Sequence, residues 1–134
     1  MESESEHLQV FYGRYLKRCN EHRFDELGEF VADDVNGPTQ GLSRYIAGLH
    51  AVVEAFPDYQ WDLQRVLVDG QWLAARLYGT GTHTGPFRGI EAAGRVIRTQ
   101  ELVIYRTVDG KILECWGDLG STVCDELTSG TTGA

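Results

Sequence analysis

Cysteine, proline and methionine are scarce in this chain of 134 residues, which holds three, three and one of them. The odd count of cysteines (Cys19, Cys115 and Cys124) gives no disulfide framework, and no two stand at metal-ligand spacing. Each therefore reads as a free thiol in a reducing, cytoplasmic setting. The chain also lacks a glycine-rich phosphate loop and a nucleophile elbow, so neither a metal nor a cofactor is expected. No apolar run approaches the length of a transmembrane helix, and the start, Met1 to Glu6, is acidic where a secretory signal would be basic and apolar. Positive charge is thin: 12 Lys and Arg against 20 Asp and Glu leave a net charge of −8. The basic residues are scattered. Phosphate backbones need clustered Lys and Arg, and anionic lipid repels an acidic surface, so nucleic acid and membrane are not expected partners.

What is present suits one ordinary globular domain over 1–134, with its core at about 8–121 and fraying termini. Ser3 and Glu6 make a capping box ahead of Leu8, Phe11, Tyr12, Tyr15, Leu16 and Cys19, an apolar stripe at helical spacing. Asn20 and Glu21 end that helix. Phe24 to Val31 reads as a short second helix, and Asn36-Gly37-Pro38 as a turn. Leu42 to Phe56 is a third helical stripe, stopped by Pro57. Beyond Pro57 the period becomes that of strands: Tyr59 to Val68, Gln71 to His83, Val96 to Thr107 and Lys111 to Leu119. Asp69-Gly70 and Asp109-Gly110 supply hairpin turns. The last residues, Thr128 to Ala134, are small and polar. Helices first and hairpin-linked strands afterwards predict an α+β fold: a curved antiparallel sheet forming a cone, with three N-terminal helices on its concave face.

The segments Gly81-Thr82-His83-Thr84-Gly85-Pro86-Phe87, Gly94-Arg95, Leu102 to Arg106, Asp109 to Ile112 and Trp116-Gly117-Asp118 resemble the SnoaL-like polyketide cyclases. That family lies within the nuclear-transport-factor-2-like superfamily, and the resemblance runs from about Leu8 to Ser121. It implies the cone fold, a hydrophobic small-molecule substrate, a sheet-to-sheet homodimer, a place in secondary metabolism, and aldol ring closure without metal or cofactor, an activity of the lyase or isomerase type. It also implies an acid/base carboxylate at Asp118, with partners at His83 and Asn36. Val103 stands where the cyclases carry a second His, so a hydroxylase or isomerase of the same family is an alternative. A non-catalytic ligand-binding domain is another.

Strand alternation sharpens the candidate site. If Asp118 points inward, so do Trp116, Glu114 and Ile112. If Val103 does, so do Glu101 and Tyr105. If His83 does, it shares its face with Gly81, Gly79 and Ala75, whose small side chains leave room for a ligand. Asp118 beside Trp116 is expected to be desolvated and basic enough to deprotonate a carbon acid; otherwise it caps a strand end or pairs with an Arg. Glu101 is a second inward carboxylate unless a bulge turns it to solvent. His83 and Asn36 are candidate donors to a developing oxyanion, against the plainer readings of a surface His and a turn-forming Asn. Trp116, Tyr105, Val103, Tyr15, Tyr45 and Trp61 are the expected substrate-binding wall. Leu102 and Ile104, apolar on the outer face of their strand, suggest a partner copy.

Overall fold

The computed structural model of the chain describes residues 3–37 and 40–129. Helix α1 (Glu4–Asn20) begins at the capping box, in which Ser3 Oγ accepts from the Glu6 N–H and the Glu6 carboxylate accepts from the Ser3 N–H. Its buried stripe is Tyr12, Tyr15, Leu16 and Cys19. The short second helix is a 3-10 turn, Phe24–Glu29, and helix α2 (Gly41–Ala55) stops two residues before Pro57. Pro38, part of the expected turn, lies outside the described residues, but Asn36 and Gly37 before it both take positive φ, 58° and 87°.

Four strands follow: β1 (Gln60–Asp69), β2 (Trp72–Thr82), β3 (Val96–Val108) and β4 (Lys111–Trp116). They form one antiparallel curved sheet in the order β1-β2-β3-β4. The β3–β4 hairpin has Asp109 and Gly110 at φ 52° and 79°, the left-handed pair that a tight two-residue turn demands. The helical layer packs its apolar stripes on one face of this sheet, and the core lies between them.

Three features depart from the sequence-based expectation. The first is an added helix, α3 (Leu119–Ser129), where a strand end and a fraying tail were expected. Leu119, Val123 and Leu127 recur at intervals of four and form its inner stripe, with Val123 and Leu127 buried. Arg95 donates to the carbonyls of Glu126 and Leu127, both at 3.1 Å, satisfying acceptors that a helix end leaves open. Of the expected frayed end, 130–134 lie outside the described residues.

The second is a bulge in β4. Arg106 pairs with Glu114 and Thr107 with Ile112, which leaves Leu113 as one residue too many. Side-chain alternation is therefore reset within the strand. Ile112 points into the core, but Cys115 rather than Trp116 is the next inward residue near its end, and Trp116 is 62% exposed. The segment before α2 holds this bulge in place. The Ile112 N–H donates to the Phe30 carbonyl at 2.8 Å, and the Asn36 N–H donates to the bulged Leu113 carbonyl at 2.9 Å. The Asn36 side-chain carbonyl accepts from the Cys115 N–H at 2.8 Å.

The glycines of β2 also play a different part from the one expected. A Cβ on Gly79 would lie 1.9 Å from Tyr59 Oη, and one on Gly81 would lie 3.0 Å from the same ring. The space they leave is filled by Tyr59, fully buried and bonded to Thr99 Oγ1 at 2.7 Å, not by a ligand. Gly79→Ala should therefore cost about 1–3 kcal/mol through overpacking, read by urea denaturation. Unchanged stability would mean that Tyr59 does not sit against the β2 backbone.

Candidate functional site

A cavity of about 480 Å³ opens between α1, α2, the inner faces of β2, β3 and β4, and the start of α3. Its inner wall is made of buried side chains, among them Tyr12, Tyr15, Cys19, Trp61, Leu77 and Tyr105. Its rim is made of exposed ones, including Arg44, Glu54, Arg88 and Asp118. That is an apolar-walled, polar-studded cleft of the size small-molecule sites have.

Glu101 is the carboxylate on the inner wall. It sits at an inward position of β3, opposite Leu77 of β2, and is half-buried. Loss of water pushes its carboxyl up to about 7, while a hydrogen bond with the Trp61 side chain pulls the other way. Four phenols line the cavity with it. Tyr12 and Tyr105 bond through their hydroxyls at 3.0 Å and Tyr15 and Tyr45 at 2.5 Å, with Tyr45 donating onward to Cys115 Sγ at 3.9 Å. Burial raises all four phenols far above their ordinary value, so each is a neutral donor at any working pH. Burial likewise pushes the Cys19 and Cys115 thiols up to about 12, which keeps them protonated and poorly nucleophilic.

The other expected residues are only partly brought together. Tyr15, Tyr45, Tyr105 and Trp61 line the cavity with Glu101. Asp118 stands at the rim but beyond the end of β4. Its Oδ1 accepts from the Ser121 N–H at 3.0 Å and its Oδ2 from the Ser121 hydroxyl at 2.8 Å, the bonding of a helix cap, here on α3. Those bonds, with the Arg88 guanidinium 3.9 Å away, hold its carboxyl below the usual range, and its side chain is 66% exposed. The expected desolvation by Trp116 is thus corrected: the bulge at Leu113 sends Trp116 to the opposite face, out of the cavity wall.

His83 and Asn36 are corrected as well. His83 is buried just past the end of β2, its ring stacked on Phe56 at 5.0 Å, outside the cavity lining, and its Nε2 has no hydrogen-bond partner. Asn36 spends its side-chain oxygen on β4. Val103 is buried beneath Gly117, whose Cβ would lie 3.0 Å from a Val103 methyl, and it too is absent from the lining. Sequence reasoning did not pick out Tyr12, Cys19 and Cys115 for the site. The first two were legible as inward residues of α1, but a Tyr on an apolar stripe reads as core, and Cys115 was hidden by the bulge. Among the described residues, no three His, Cys, Asp or Glu side chains converge to hold a metal ion, and no helix is long and apolar enough to cross a membrane.

A family profile described as SnoaL-like polyketide cyclase matches residues 9–128. A solved SnoaL-like polyketide cyclase from Agrobacterium tumefaciens str. C58 is 35% identical, covering 82% of this chain and 88% of its own, with a TM-score of 0.74. A protein from Jannaschia sp. CCS1, named as a candidate SnoaL-like polyketide cyclase, gives a TM-score of 0.79 at 19% identity, covering 96% of this chain and 97% of that one. TsrD from Streptomyces laurentii gives 0.77 at 23% identity, covering 90% and 93%. At such identities the last two carry likeness of fold alone. No curated protein matches.

The raised carboxyl of Glu101 has a consequence for stability. An unfolded Glu titrates near about 4.3, and the folded one at about 7. Between those values the folded state binds the proton more tightly, so Glu101 makes stability fall as pH rises through the window and level off above it. Glu101→Gln removes that loss. Its melting temperature relative to wild type should be higher at about pH 8 than at about pH 5. An equal offset at both pH values would show that the carboxyl is not desolvated.

Proposed function

The chain belongs to the SnoaL-like polyketide cyclase family, and on that premise we propose that it transforms a hydrophobic, polyketide-like carbonyl compound by acid/base chemistry without a cofactor, as an aldol cyclase does. The observation that carries this reading is Glu101, a carboxyl on the inner wall of an apolar cavity with its pKa brought to about 7 by loss of water. A base for a carbon acid works best when its pKa lies near the working pH. Ionised Glu101 removes a proton from the carbon beside a carbonyl. The C–H bonding pair becomes the new C=C bond, and the carbonyl π pair moves to oxygen. The enolate carbon then attacks a second carbonyl of the same molecule, and the proton held by Glu101 returns to the new alkoxide. Trp61 positions the carboxyl through its hydrogen bond. Asp118, held low by its capping bonds, is the poorer base and stabilises α3 at the rim.

Exchange of the methyl protons of acetylnaphthalene in deuterium oxide, followed by NMR, isolates the first step without the natural substrate. Exchange should rise with pH and level off above about 7. Glu101→Gln should slow it by about a hundred- to ten-thousand-fold, with Asp118→Asn affecting it much less. Exchange by Glu101→Gln at the wild-type rate would remove Glu101 as the base.

The outer sheet face supports the further reading that the protein pairs with a second copy. Leu102, Ile104 and Trp116 are exposed there, with Ile104 directly opposite Trp116, and Trp72 lies on the same face beneath the Arg106 guanidinium. Contiguous exposed apolar side chains of this size mark interaction sites. Wild type should sediment as a dimer at micromolar concentration, and Ile104→Glu should shift it toward monomer. A monomeric wild type would overturn the pairing.

A further inference from the structure

With His83 and Asn36 outside the cavity lining and Gln40, Arg44 and Arg88 at its exposed rim, the proposed reaction needs a donor on the inner wall for its oxyanion. The hydrogen bonding of the phenols supplies one. A phenol carries a single proton. Tyr59 bonds Thr99 and is not part of the lining. In the Tyr15–Tyr45 pair both protons have acceptors, because Tyr45 donates to Cys115 Sγ and so accepts from Tyr15. The Tyr12–Tyr105 pair is different. Its hydroxyls meet at 3.0 Å and neither has another hydrogen-bond partner among the described residues. One donates to the other, and the acceptor keeps an O–H proton that nothing takes. Both rings are buried and both line the cavity.

We propose that the Tyr12–Tyr105 pair is the oxyanion-binding element of this cavity, its uncommitted O–H donating to the substrate oxygen that becomes negative when the carbon acid loses its proton. The inference rests on the acid/base reading of Glu101. The phenol keeps its proton throughout: it donates a hydrogen bond and no bond to it is broken. The phenol that only donates inside the pair polarises its partner and strengthens the outward bond. The placement suits the task. Glu101, Val103 and Tyr105 share the inner face of β3, so base and donor are rooted about 13 Å apart along the strand, and Tyr12 reaches the same point from α1, ring centre 5.2 Å from that of Tyr105. Glu101 is near enough for its charge to disfavour ionisation of both phenols, which keeps the pair in its donating form. A ligand held against both presents an acidic C–H to Glu101 and the oxygen of the adjoining carbonyl, two bonds from the carbon that loses its proton, to the pair. The class that fits is an enolisable ketone.

The test uses para-nitrophenol as the oxyanion probe and para-nitroanisole as its neutral counterpart, on the full chain carrying Glu101→Gln. The amide removes the carboxylate charge that would repel a bound anion. Absorbance should show bound para-nitrophenol ionising at lower pH than the free phenol. Adding Tyr12→Phe and Tyr105→Phe together should weaken phenolate binding about 10- to 100-fold, the worth of a hydrogen bond to a charged group, with para-nitroanisole binding unchanged. The single variants should be unequal, since one removes the donor and the other only its support. Circular dichroism and melting check the fold, and if the double variant does not fold, both single variants are read and the larger loss of phenolate binding marks the donor. Phenolate preference that survives loss of the pair, or that never appears in Glu101→Gln although para-nitroanisole binds, overturns the assignment. Failure of para-nitroanisole to bind at all would instead sink the small-molecule site and the reading this inference rests on.

Discussion

The arrangement of the site depends on one surplus residue, Leu113, in the last strand. Without it Trp116 would face the cavity and Cys115 the outside. With it, the inner wall takes a small thiol where a large indole would have closed the space, and the indole joins Ile104 on the outer face. A bulge is a local loss of pairing and persists only where something else satisfies the freed groups. Here the Asn36 turn does so, taking the Leu113 carbonyl with its N–H and the Cys115 N–H with its side chain. The positive φ of Asn36 is what lets backbone and side chain reach the strand together, and Asn is among the few residues that adopt it at small cost. One turn thus sets the volume of the cavity and the composition of the opposite sheet face.

Inside the cavity the governing contrast is between two carboxylates. Asp118 has two donors from Ser121 and abundant water, so its charge is well stabilised and its basicity is low. Glu101 has a hydrogen bond with Trp61 and little water, so its charge is costly and its basicity is high. The phenols around it offer protons but no compensating cation, which keeps that cost in place. Desolvation of a single group against hydrogen-bonded stabilisation of another sets their basicities more firmly than position along the strand does.

Much of the fold was legible from sequence. The Ser3–Glu6 capping box, the stop at Pro57 and the Asp109-Gly110 turn each act through local backbone geometry, and each produces the element boundary it signals. The inward set of β3, with Glu101 and Tyr105 on one face, follows from strict alternation in an unbulged strand. Helix α3 also left a trace, the spacing of Leu119, Val123 and Leu127 after a capping Asp, but a short stripe rich in Ser, Thr and Gly is a weak helix former on its own and relies on packing against β3 and on Arg95.

Sequence by itself therefore determined the element order, the antiparallel hairpins, and the placing of Glu101 and the tyrosines on inward faces, because these rest on period, caps and turns within a few residues of one another. Tertiary structure alone decided three things: that the glycines of β2 make room for Tyr59, that Trp116 and Cys115 exchange faces, and that Glu101 loses its water. Each is set by contacts between segments distant along the chain, where a single inserted residue or a neighbouring ring changes which atoms meet, and no local pattern records that meeting.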